Sequence, residues 1–286
     1  MPIDYDKLMA LKIPDAEHSY REKDTMLYAL GVGLGHDPVD RAQLDFVYEK
    51  NLKALPTFAC LLGYPGFWAR DLDTGIDWVR SVNGEQGFTL NAPVKPRNTV
   101  IGRTRIIEVI DKGPGKGAVI YTERKITDKA TGEPVATVTQ TSFCRGDGGF
   151  GGPPRESPPV HKTPERAPDL VCDLDTRPEM ALVYRLSADL NPLHADLDVA
   201  KAAGYPRPIL HGLGTFGVVG HALLKSICGY QPERLTAMSG RFSAPVYPGE
   251  TIRTEIWRDG NVVSFRALVP ARNIVAMTNG RAEVRP

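Results

Sequence analysis

The chain has 286 residues, of which 42% are hydrophobic and 24% are charged, and its formal net charge is +1. This composition is typical of a globular protein, and the length suffices for one large domain or two smaller ones. A dedicated nucleic-acid-binding protein usually carries a basic excess, so the near-neutral charge argues against that class.

The four cysteines lie far apart and include no CxxC pair. This distribution favours free buried thiols in a reducing compartment over a disulfide framework or a zinc site. The first fifteen residues contain acids and lack the apolar core of a signal peptide, and no apolar run reaches the length of a membrane span. We therefore expect a cytoplasmic protein that binds neither nucleic acid nor membranes.

The first half of the chain changes from helical to strand-like patterns along its length. An apolar stretch that begins at Leu55 has the composition of a buried helix. From Glu85 to Arg145, runs of β-branched residues are separated by glycine-rich turn sequences, which predicts strands. The predicted strands are Thr99–Ile110, Ala118–Ile126 and Val135–Phe143.

The sequence from Arg145 to Pro168 holds five glycines and six prolines and shows no apolar periodicity. Such a segment cannot form a core, so residues 146–168 are predicted to be a linker. An extended proline-rich chain covers roughly 3 Å per residue, which is enough for the linker to run along the outside of a domain. The prediction divides the chain into a first half, residues 1–145, and a second half, residues 169–286.

The second half repeats the order of elements in the first. A predicted strand leads into a polar motif, a short helix and a long apolar helix, and further strands follow. In chain order these elements are Met180–Leu186, Asp196–Ala203, Gly212–Ile227, Leu235–Phe242, Thr251–Arg258, Val262–Val269 and Ile274–Val284.

Three short matches, at offsets of 156, 158 and 152 residues, indicate that the two halves are diverged copies. The matched pairs are residues 27–35 with 183–191, Thr57-Phe58 with Thr215-Phe216, and residues 90–96 with 242–248. Each half combines one long helix candidate with several long strands. This combination predicts an α+β fold in which a curved antiparallel sheet wraps a central helix in each repeat.

The predicted long helix of the second half is unusually rich in glycine. Gly212, Gly214, Gly217 and Gly220 all lie in it. Glycine inside a helix costs roughly 1 kcal/mol relative to alanine, so a compensating reason is needed. We expect the sheet to approach the helix closely at these positions.

The segment YRLSADLNPLHAD places an acid, an amide and an imidazole at Asp189, Asn191 and His194. A structural role is the alternative, because Asp-x-Asn-Pro is favourable turn chemistry and Asp can cap a helix. Two features favour a catalytic role. The segment follows a predicted strand, where sites are often built. The first half also has Gly33 and Gly35 in place of the acid and the amide, so a single copy holds the polar groups.

An acid and an imidazole that converge on one water can add it to a double bond or remove it. Neither group is a strong enough base to deprotonate a saturated carbon, so the substrate needs an acidified α-carbon, such as a thioester provides. The thioester oxygen then becomes negative, and the backbone N–H of Gly212 at a helix start is the candidate donor to it. His211-Gly212 can equally be a simple turn. We expect His211 and His221 to be structural, and no His, Cys or Asp spacing indicates a metal site.

Three motifs, YRLSADLNPLHAD, PILHGLGTFG and RFSAPVYPGET, together resemble the MaoC-like (R)-specific enoyl-CoA hydratases. The hydratase 2 unit of the peroxisomal multifunctional enzymes of type 2 is the nearest resemblance, and it extends over nearly the whole chain, including NGEQ, VIDKG and GGFGG. The resemblance implies a double hot-dog fold, usually in a homodimer. It further implies hydration of trans-2-enoyl-CoA to (3R)-3-hydroxyacyl-CoA in fatty-acid metabolism such as β-oxidation, without a metal or redox cofactor.

The resemblance also implies roles for single residues. Asp189 and His194 activate the water and handle the α-proton with support from Asn191, and the division of these two tasks stays open. Gly212 donates to the thioester oxygen. The implied contacts to the CoA thioester are Asn83, Gly84, Lys112, Leu190, Pro192, Leu193 and Phe242. This chain departs from the family at Asn83, where histidine is frequent.

Three other functions share parts of the pattern. The same site run in reverse is a dehydratase of 3-hydroxyacyl thioesters in lipid or polyketide synthesis. A thioesterase shares the hot-dog fold, and a non-catalytic acyl-CoA-binding module is expected to lose Asp189 or His194.

The degenerate first half is expected to make room for medium or long acyl chains, and Arg207 and Arg241 are both candidates to contact the CoA phosphates.

Overall fold

The computed structural model describes residues 2–187 and 189–286, whose ten strands form one continuous antiparallel sheet. The strands are β1 (Ala16–Tyr20), β2 (Ser81–Leu90), β3 (Asn98–Asp111), β4 (Ala118–Asp128), β5 (Pro134–Cys144), β6 (Leu170–Asp175), β7 (Leu235–Phe242), β8 (Thr251–Asp259), β9 (Val262–Val269) and β10 (Ile274–Val284). The α-helices are α1 (Tyr5–Met9), α2 (Glu22–Gly31), α3 (Arg41–Leu44), α4 (Trp68–Asp71), α5 (Met180–Tyr184), α6 (Leu197–Ala202) and α7 (Gly212–Leu223).

Shorter helical turns complete the secondary structure. A π-helical turn, Leu224–Cys228, continues α7. The 3-10 helices are Pro56–Leu61, Trp78–Arg80, Pro192–His194, Pro232–Arg234 and Pro270–Arg272. The mixture of one sheet with several helices confirms the predicted α+β class.

The strand order repeats itself outwards from the middle of the sheet. It runs β2, β5, β4, β3, β1 on one side and β7, β10, β9, β8, β6 on the other, and β2 pairs with β7 at the centre. In that central pair Gly87 lies opposite Ser239, a separation of 152 residues that equals one of the offsets in the sequence. The topology therefore confirms the internal duplication, whereas the residue bounds of the two halves stay a prediction.

The main core lies between the concave side of the sheet and α7. Ten residues of α7, from Gly214 to Leu223, are buried, and the helix packs against strands of both halves, including β2, β7 and β8. Because one helix serves strands on both sides of the central pair, the two halves share a single core.

The first half lacks a counterpart to α7: between residues 2 and 144 the apolar segment forms only the six-residue 3-10 helix Pro56–Leu61. The backbone at Gly63 explains why the helix ends so early. Its φ is +59°, and a Cβ built at Gly63 would lie 2.6 Å from the Cα of Gly102 on β3. A left-handed residue pressed against a strand stops the helix and turns the chain away.

The prediction of a strand at Met180–Leu186 is wrong, because residues 180–184 form helix α5. Met180, Ala181 and Tyr184 are buried while Leu182 and Leu186 are exposed, which is the spacing of a helical face. The polar motif therefore follows a short helix and does not lie at the end of a strand.

Two glycines of α7 permit close contact with the first half of the chain, and not with the sheet as predicted. A Cβ at Gly217 would lie 2.5 Å from Val32 Cγ1, and one at Gly220 would lie 2.4 Å from Thr57 Cγ2. Val32 directly follows α2 and Thr57 lies in the 3-10 helix Pro56–Leu61, so these two glycines let α7 pack closely on helical parts of the first half. The expected approach of the sheet applies only to Gly212, which faces Phe242 at the end of β7.

Residues 145–169 connect β5 to β6 without a helix or strand and cross the outer face of the sheet. His161 accepts a hydrogen bond from Asn279 Nδ2 through its carbonyl (2.7 Å), and its Nε2 contacts Ser264 Oγ (2.8 Å). All four cysteines are buried free thiols, as predicted. None of the described helices is long and apolar enough to cross a membrane.

We predict that Gly220→Ala destabilises the fold by about 1–3 kcal/mol, the usual cost of overpacking a core. The new methyl would collide with a single atom, the Cγ2 of Thr57, and Thr57→Ser removes that atom. The double variant should therefore recover most of the stability that Gly220→Ala loses, measured by urea unfolding of both single variants and the double. Strictly additive losses would show that the Gly220–Thr57 contact is not the reason for the glycine.

Candidate active site

The site is built where α5 leads, through two successive turns, into the 3-10 helix Pro192–His194. Asp189 Oδ1 accepts a hydrogen bond from the backbone N–H of Asn191 (2.8 Å), and Asn191 Oδ1 accepts one from that of Leu193 (3.0 Å). Pro192 occupies the first helical position, where its missing N–H costs nothing. Asp189 and Asn191 thus shape the backbone as the structural alternative proposed, and Asp189 remains exposed.

Two buried imidazoles, those of His194 and His211, are stacked at the centre of the site. Their ring centroids are 3.6 Å apart and their planes meet at 26°. His194 Nδ1 lies 2.9 Å from the carbonyl oxygen of Ile209, and His211 Nε2 lies 3.0 Å from that of Asp189. The stack joins the Asp189 turn to the start of α7, which begins one residue after His211.

These backbone contacts determine the tautomer of each ring. A carbonyl oxygen can only accept a hydrogen bond, so His194 Nδ1 and His211 Nε2 must carry the protons. The neutral His194 ring therefore keeps its lone pair on Nε2. The neutral His211 ring keeps its lone pair on Nδ1, which is buried and has no hydrogen-bond partner among residues 2–187 and 189–286.

Burial keeps both imidazoles neutral near pH 7. It lowers the pKa of His194, which a hydrogen bond to Ile209 and the charge of Asp189 partly restore. Burial and the neighbouring His194 together lower the pKa of His211 to about 4. Desolvation opposes the charged form of any buried imidazole. The result is a neutral base, His194, within reach of a carboxylate.

A pair of buried tyrosines supports the stack from behind. The Tyr184 ring is 4.8 Å from the His211 ring, and the Tyr28 ring is 5.9 Å from that of Tyr184. Tyr28 and Tyr184 are 156 residues apart, which is the offset that relates the two copies of this segment. The acid–imidazole segment of the second half is therefore anchored on its own equivalent in the first.

The N-terminus of α7 borders the imidazole stack. Gly212 is the first helical residue, and the preceding His211 provides no side-chain cap. The first N–H groups of a helix have no partner within the helix and carry a partial positive charge. A Cβ at Gly212 would contact the Phe242 ring at 3.4 Å, so these two predicted residues lie together.

The other predicted substrate contacts lie at two separate places. Leu190 and Pro192 are exposed beside Asp189, and Leu193 is half-buried there. Asn83 and Gly84 lie on β2 at a bulge against β5. The side-chain oxygen of Asn83 is buried and finds no hydrogen-bond partner in the described part of the chain.

Lys112 follows β3 and is exposed on the side of the linker. Its Nζ donates to Ser157 Oγ at 2.7 Å. Within residues 2–187 and 189–286, no hydrogen bond or ion pair joins Lys112 to Asp189, His194 or Gly212. The structure therefore does not bring Lys112 into direct contact with the acid–imidazole site.

Folding also creates a donor set that the sequence spacing did not indicate. One ligand atom from each of Asp189, His194 and His211 lies within 4.8 Å of the other two. His211 is seventeen residues from His194 in sequence, so no local motif reveals the group. The stacked rings hold their lone pairs in nearly parallel planes, whereas ligands of one tetrahedral ion must point towards a common centre. The arrangement therefore suits proton transfer better than metal binding.

Two protein-family models match the chain. Residues 18–146 match the MFE-2 hydratase 2 N-terminal domain, and residues 159–279 match the MaoC like domain. Peroxisomal enoyl-CoA hydratase 2 of Arabidopsis thaliana is 37% identical over 98% of this chain and 95% of its own. The 3-hydroxyacyl-thioester dehydratase Y of Mycobacterium tuberculosis is 38% identical over 90% of this chain and 88% of its own.

Solved structures show the same architecture. A MaoC-like dehydratase from Phytophthora capsici superposes with a TM-score of 0.85 at 33% identity, covering 98% of both chains. A Mycobacterium tuberculosis protein with a double hot-dog fold superposes with a TM-score of 0.55 at 13% identity, covering 98% of both chains, which bears on the fold alone. The sheet and its site define the class of double hot-dog, MaoC-like proteins, as predicted. Within that class, the chain belongs to the enoyl-CoA hydratase 2 family.

The buried imidazoles predict a loss of folding stability in mild acid. A histidine whose folded pKa is depressed stabilises the fold above its unfolded pKa, and this contribution is lost as the pH falls towards the folded pKa. For His211 the window runs from 6.5 down to about 4. Between pH 7.5 and about pH 5 the chain should lose about 2 kcal/mol through this residue.

The variant His211→Phe retains a stacking ring and cannot titrate. Urea unfolding at both pH values should therefore show a smaller pH-dependent loss in this variant than in the parent, whatever its absolute stability. Equal losses in the two proteins would mean that His211 is not held neutral by burial.

Proposed function

We propose that the protein is an (R)-specific 2-enoyl-CoA hydratase, a hydro-lyase that adds water to trans-2-enoyl-CoA and forms (3R)-3-hydroxyacyl-CoA. One observation carries the proposal: a neutral imidazole, His194, and a carboxylate, Asp189, have side-chain atoms within 4.8 Å of one another beside the start of α7. The names of the relatives and the family membership support the same reaction.

The tautomer of His194 suggests how the water is activated. Its Nδ1–H is held by the Ile209 carbonyl, so the Nε2 lone pair accepts a proton from a water that also donates to the Asp189 carboxylate. As the proton moves to Nε2, the water oxygen bonds to C3 of the enoyl chain. The negative charge of Asp189 stabilises the imidazolium that forms.

The start of α7 supplies the complementary electrostatic part. Addition at C3 moves the electrons of the double bond towards the thioester, whose oxygen becomes negative. The N–H of Gly212 donates to that oxygen, and the absence of a side chain lets the carbonyl approach. Return of the proton from His194 to C2 completes the hydration and restores the neutral imidazole.

The CoA portion is assigned to residues of both halves. We propose that Asn83, Gly84, Lys112 and Phe242 line its path. Two arginines are candidates for its phosphates, and their surroundings differ.

Arg241 is already paired with Glu85 at 2.6 Å, whereas Arg207 is exposed, lies over the Tyr247 ring at 5.1 Å and has no ion pair within residues 2–187 and 189–286. An arginine that has no carboxylate partner keeps its donors for a phosphate, so Arg207 is the stronger candidate.

The two halves are proposed to divide the work. Residues 169–286 form the catalytic repeat, and residues 1–145 form a degenerate repeat that binds the acyl chain. The short 3-10 helix Pro56–Leu61 supports this division, because it leaves the concave face of the first half without the long helix that fills the second. We expect medium or long acyl chains to be accepted.

Further properties are proposed on less direct support. The reaction is proposed to need no metal or redox cofactor, since the two imidazoles are positioned to stack and not to converge. A homodimer is proposed because four leucines in the segment that includes Asp189 and His194 are exposed: Leu182, Leu186, Leu190 and Leu197. Light scattering would test it, and a monomeric mass would reject it.

A cytoplasmic role in fatty-acyl-CoA metabolism such as β-oxidation completes the proposal, and fractionation of the source cells would test the location.

The reverse reaction is the second candidate. A relative of 38% identity is named a 3-hydroxyacyl-thioester dehydratase, and one site catalyses both directions. The two functions are distinguished by the carrier of the acyl group. A higher kcat/KM with 3-hydroxyacyl groups on a carrier protein than with enoyl-CoA esters would favour the dehydratase.

We predict that the purified protein, assayed in the presence of a chelator, removes the enoyl absorbance of crotonyl-CoA and decenoyl-CoA without releasing free thiol. Chiral chromatography of the product should show the 3R isomer. Thiol release would indicate a thioesterase, and unchanged substrate would indicate a binding module. Activity that disappears only in the chelator would overturn the metal-free proposal.

Asp189→Asn and His194→Gln should each lower kcat by at least about a hundredfold, the usual contribution of a general acid or base. Asp189→Asn is nearly isosteric and keeps the oxygen that accepts from Asn191, so its thermal unfolding should be close to that of the parent. His194→Gln also removes one ring of the buried stack, so its thermal unfolding is measured alongside its rate. Asn191→Ala serves as a control that disturbs the same turn without removing a proton-transfer group, and it should cost less activity. A near-normal rate in either Asp189→Asn or His194→Gln would refute the site.

The donor role of Gly212 is tested by a pair of variants. Gly212→Ala keeps the N–H and places its methyl at ordinary contact distance from Phe242, so it should fold and retain substantial activity. Gly212→Pro deletes the N–H at a position that suits proline, because it is the first helical residue and His211 already has the extended backbone that precedes proline. We expect Gly212→Pro to lose roughly a further hundredfold in kcat relative to Gly212→Ala. Equal rates in the two variants would exclude the N–H as the donor.

A further inference from the structure

A buried arginine in the first half has no charged partner. Arg124 on β4 is 5% exposed, and no carboxylate lies within 4.0 Å of it in residues 2–187 and 189–286. Its guanidinium donates through Nη2 to the carbonyl oxygen of Cys60, while its buried Nε has no hydrogen-bond partner in the same residues. A buried cation without a counter-ion is unfavourable, so its retention calls for an explanation.

Arg124 is part of a polar band between two apolar clusters. On the same face of β4, Ala118 and Ile120 belong to one cluster, and Ile126 belongs to the main core. Thr104 lies opposite Arg124 on β3, and its buried hydroxyl also has no partner among residues 2–187 and 189–286. Two unsatisfied polar groups therefore lie opposite each other on the same face of the sheet in the first half.

Tyr64 covers the buried Arg124 guanidinium and is itself partly exposed. Its ring lies over the Arg124 guanidinium at 5.5 Å, and 46% of the residue is exposed. Burial raises the pKa of the Tyr64 hydroxyl, Arg124 lowers it and Asp189 raises it, so this residue is within electrostatic reach of both. Tyr64 stands in a short loop between Gly63 and Gly66, both with positive φ. Tyr64 thus responds to the charge of Asp189 in the site and contacts the buried Arg124 of the first half.

We propose that Arg124 binds a carboxylate at the far end of the acyl chain, so that the enzyme accepts enoyl-CoA esters of dicarboxylic acids. This inference rests on the proposed hydratase function and on the first half as the acyl-binding repeat. The chemistry is that of a guanidinium fork with a carboxylate, which supplies the missing counter-ion and uses the idle Nε–H. Thr104 is placed to donate to the same group.

A purely structural role for Arg124 is the competing explanation. In that case the bond to the Cys60 carbonyl and the contact with Tyr64 hold the end of the 3-10 helix, and the acyl chain never reaches the cation. The two explanations differ in one measurable property, which is whether the enzyme distinguishes a carboxylate from a methyl group at the chain end.

The test uses trans-2-enoyl-CoA esters from hexenoyl to hexadecenoyl, each made with a methyl or a carboxylate at the far end. For at least one chain length, the parent enzyme should show a kcat/KM at least about tenfold higher for the carboxylate, a gain that corresponds to one charge-assisted hydrogen bond. No preference at any length would overturn the proposal. An equal gain with a terminal hydroxyl would also overturn it, because it would show recognition of a hydrogen-bonding group without a need for charge.

Variants assign the preference to Arg124. Arg124→Met, of similar length, should abolish the preference for the carboxylate while leaving crotonyl-CoA hydration near the parent rate, and Arg124→Lys should keep part of it. Arg105→Met is the matched control, since it removes an exposed arginine that pairs with Glu123 on the same sheet. Retention of the full preference in Arg124→Met would overturn the proposal.

The parent enzyme alone decides the question if Arg124→Met does not fold. The same assay separates the two levels of inference. Absence of hydration of every methyl-ended ester would reject the hydratase itself, whereas normal hydration without end-group preference would reject only the role of Arg124.

Discussion

The stacked pair of His194 and His211 is the contact on which the site depends. Each ring gives its N–H to a backbone carbonyl, so the orientation of both imidazoles is set by the chain and not by other side chains. The contact also ties the Asp189 turn to the first residue of α7. The acid, the base and the helix N-terminus are therefore positioned by one interaction, and burial of the stack keeps the base neutral. Displacement of either ring would misplace all three groups together.

The two halves of the chain share the strand order of a duplication but differ in their helices. The sheet keeps its two-fold order, yet within residues 2–187 and 189–286 the long buried helix occurs in the second half alone. Loss of that helix from the first half removes packing from one concave face and creates a place for polar groups such as Arg124. The glycines of α7 then let the first half pack closely on the remaining helix. The proposed function follows this difference, with the chemistry in the second copy and the acyl-binding space in the first.

Much of this arrangement was predictable from the sequence, because strands with β-branched runs and glycine turns are locally encoded. The repeat and the Asp189–His194 pair were also predictable, because each shows up in short runs of neighbouring residues. The edge strands β1 and β6 were not predictable in this way, because neither contains a run of β-branched residues. Helix α5 was read as a strand because a short apolar run has no decisive period. Contacts between distant segments, such as His211 on His194 or Tyr64 on Arg124, leave no local pattern at all.

The pairing of β2 with β7 has a consequence for the integrity of the molecule. Each of these strands would be a free edge if its half stood alone, and free edges invite pairing with other chains. Here each covers the other through a five-residue ladder from Glu85 to Thr89. The face of α7 that carries Gly217 and Gly220 is likewise covered by the first half. Although the sheet has two repeated halves, neither half covers its own central edge strand, so the two halves are expected to fold as one unit.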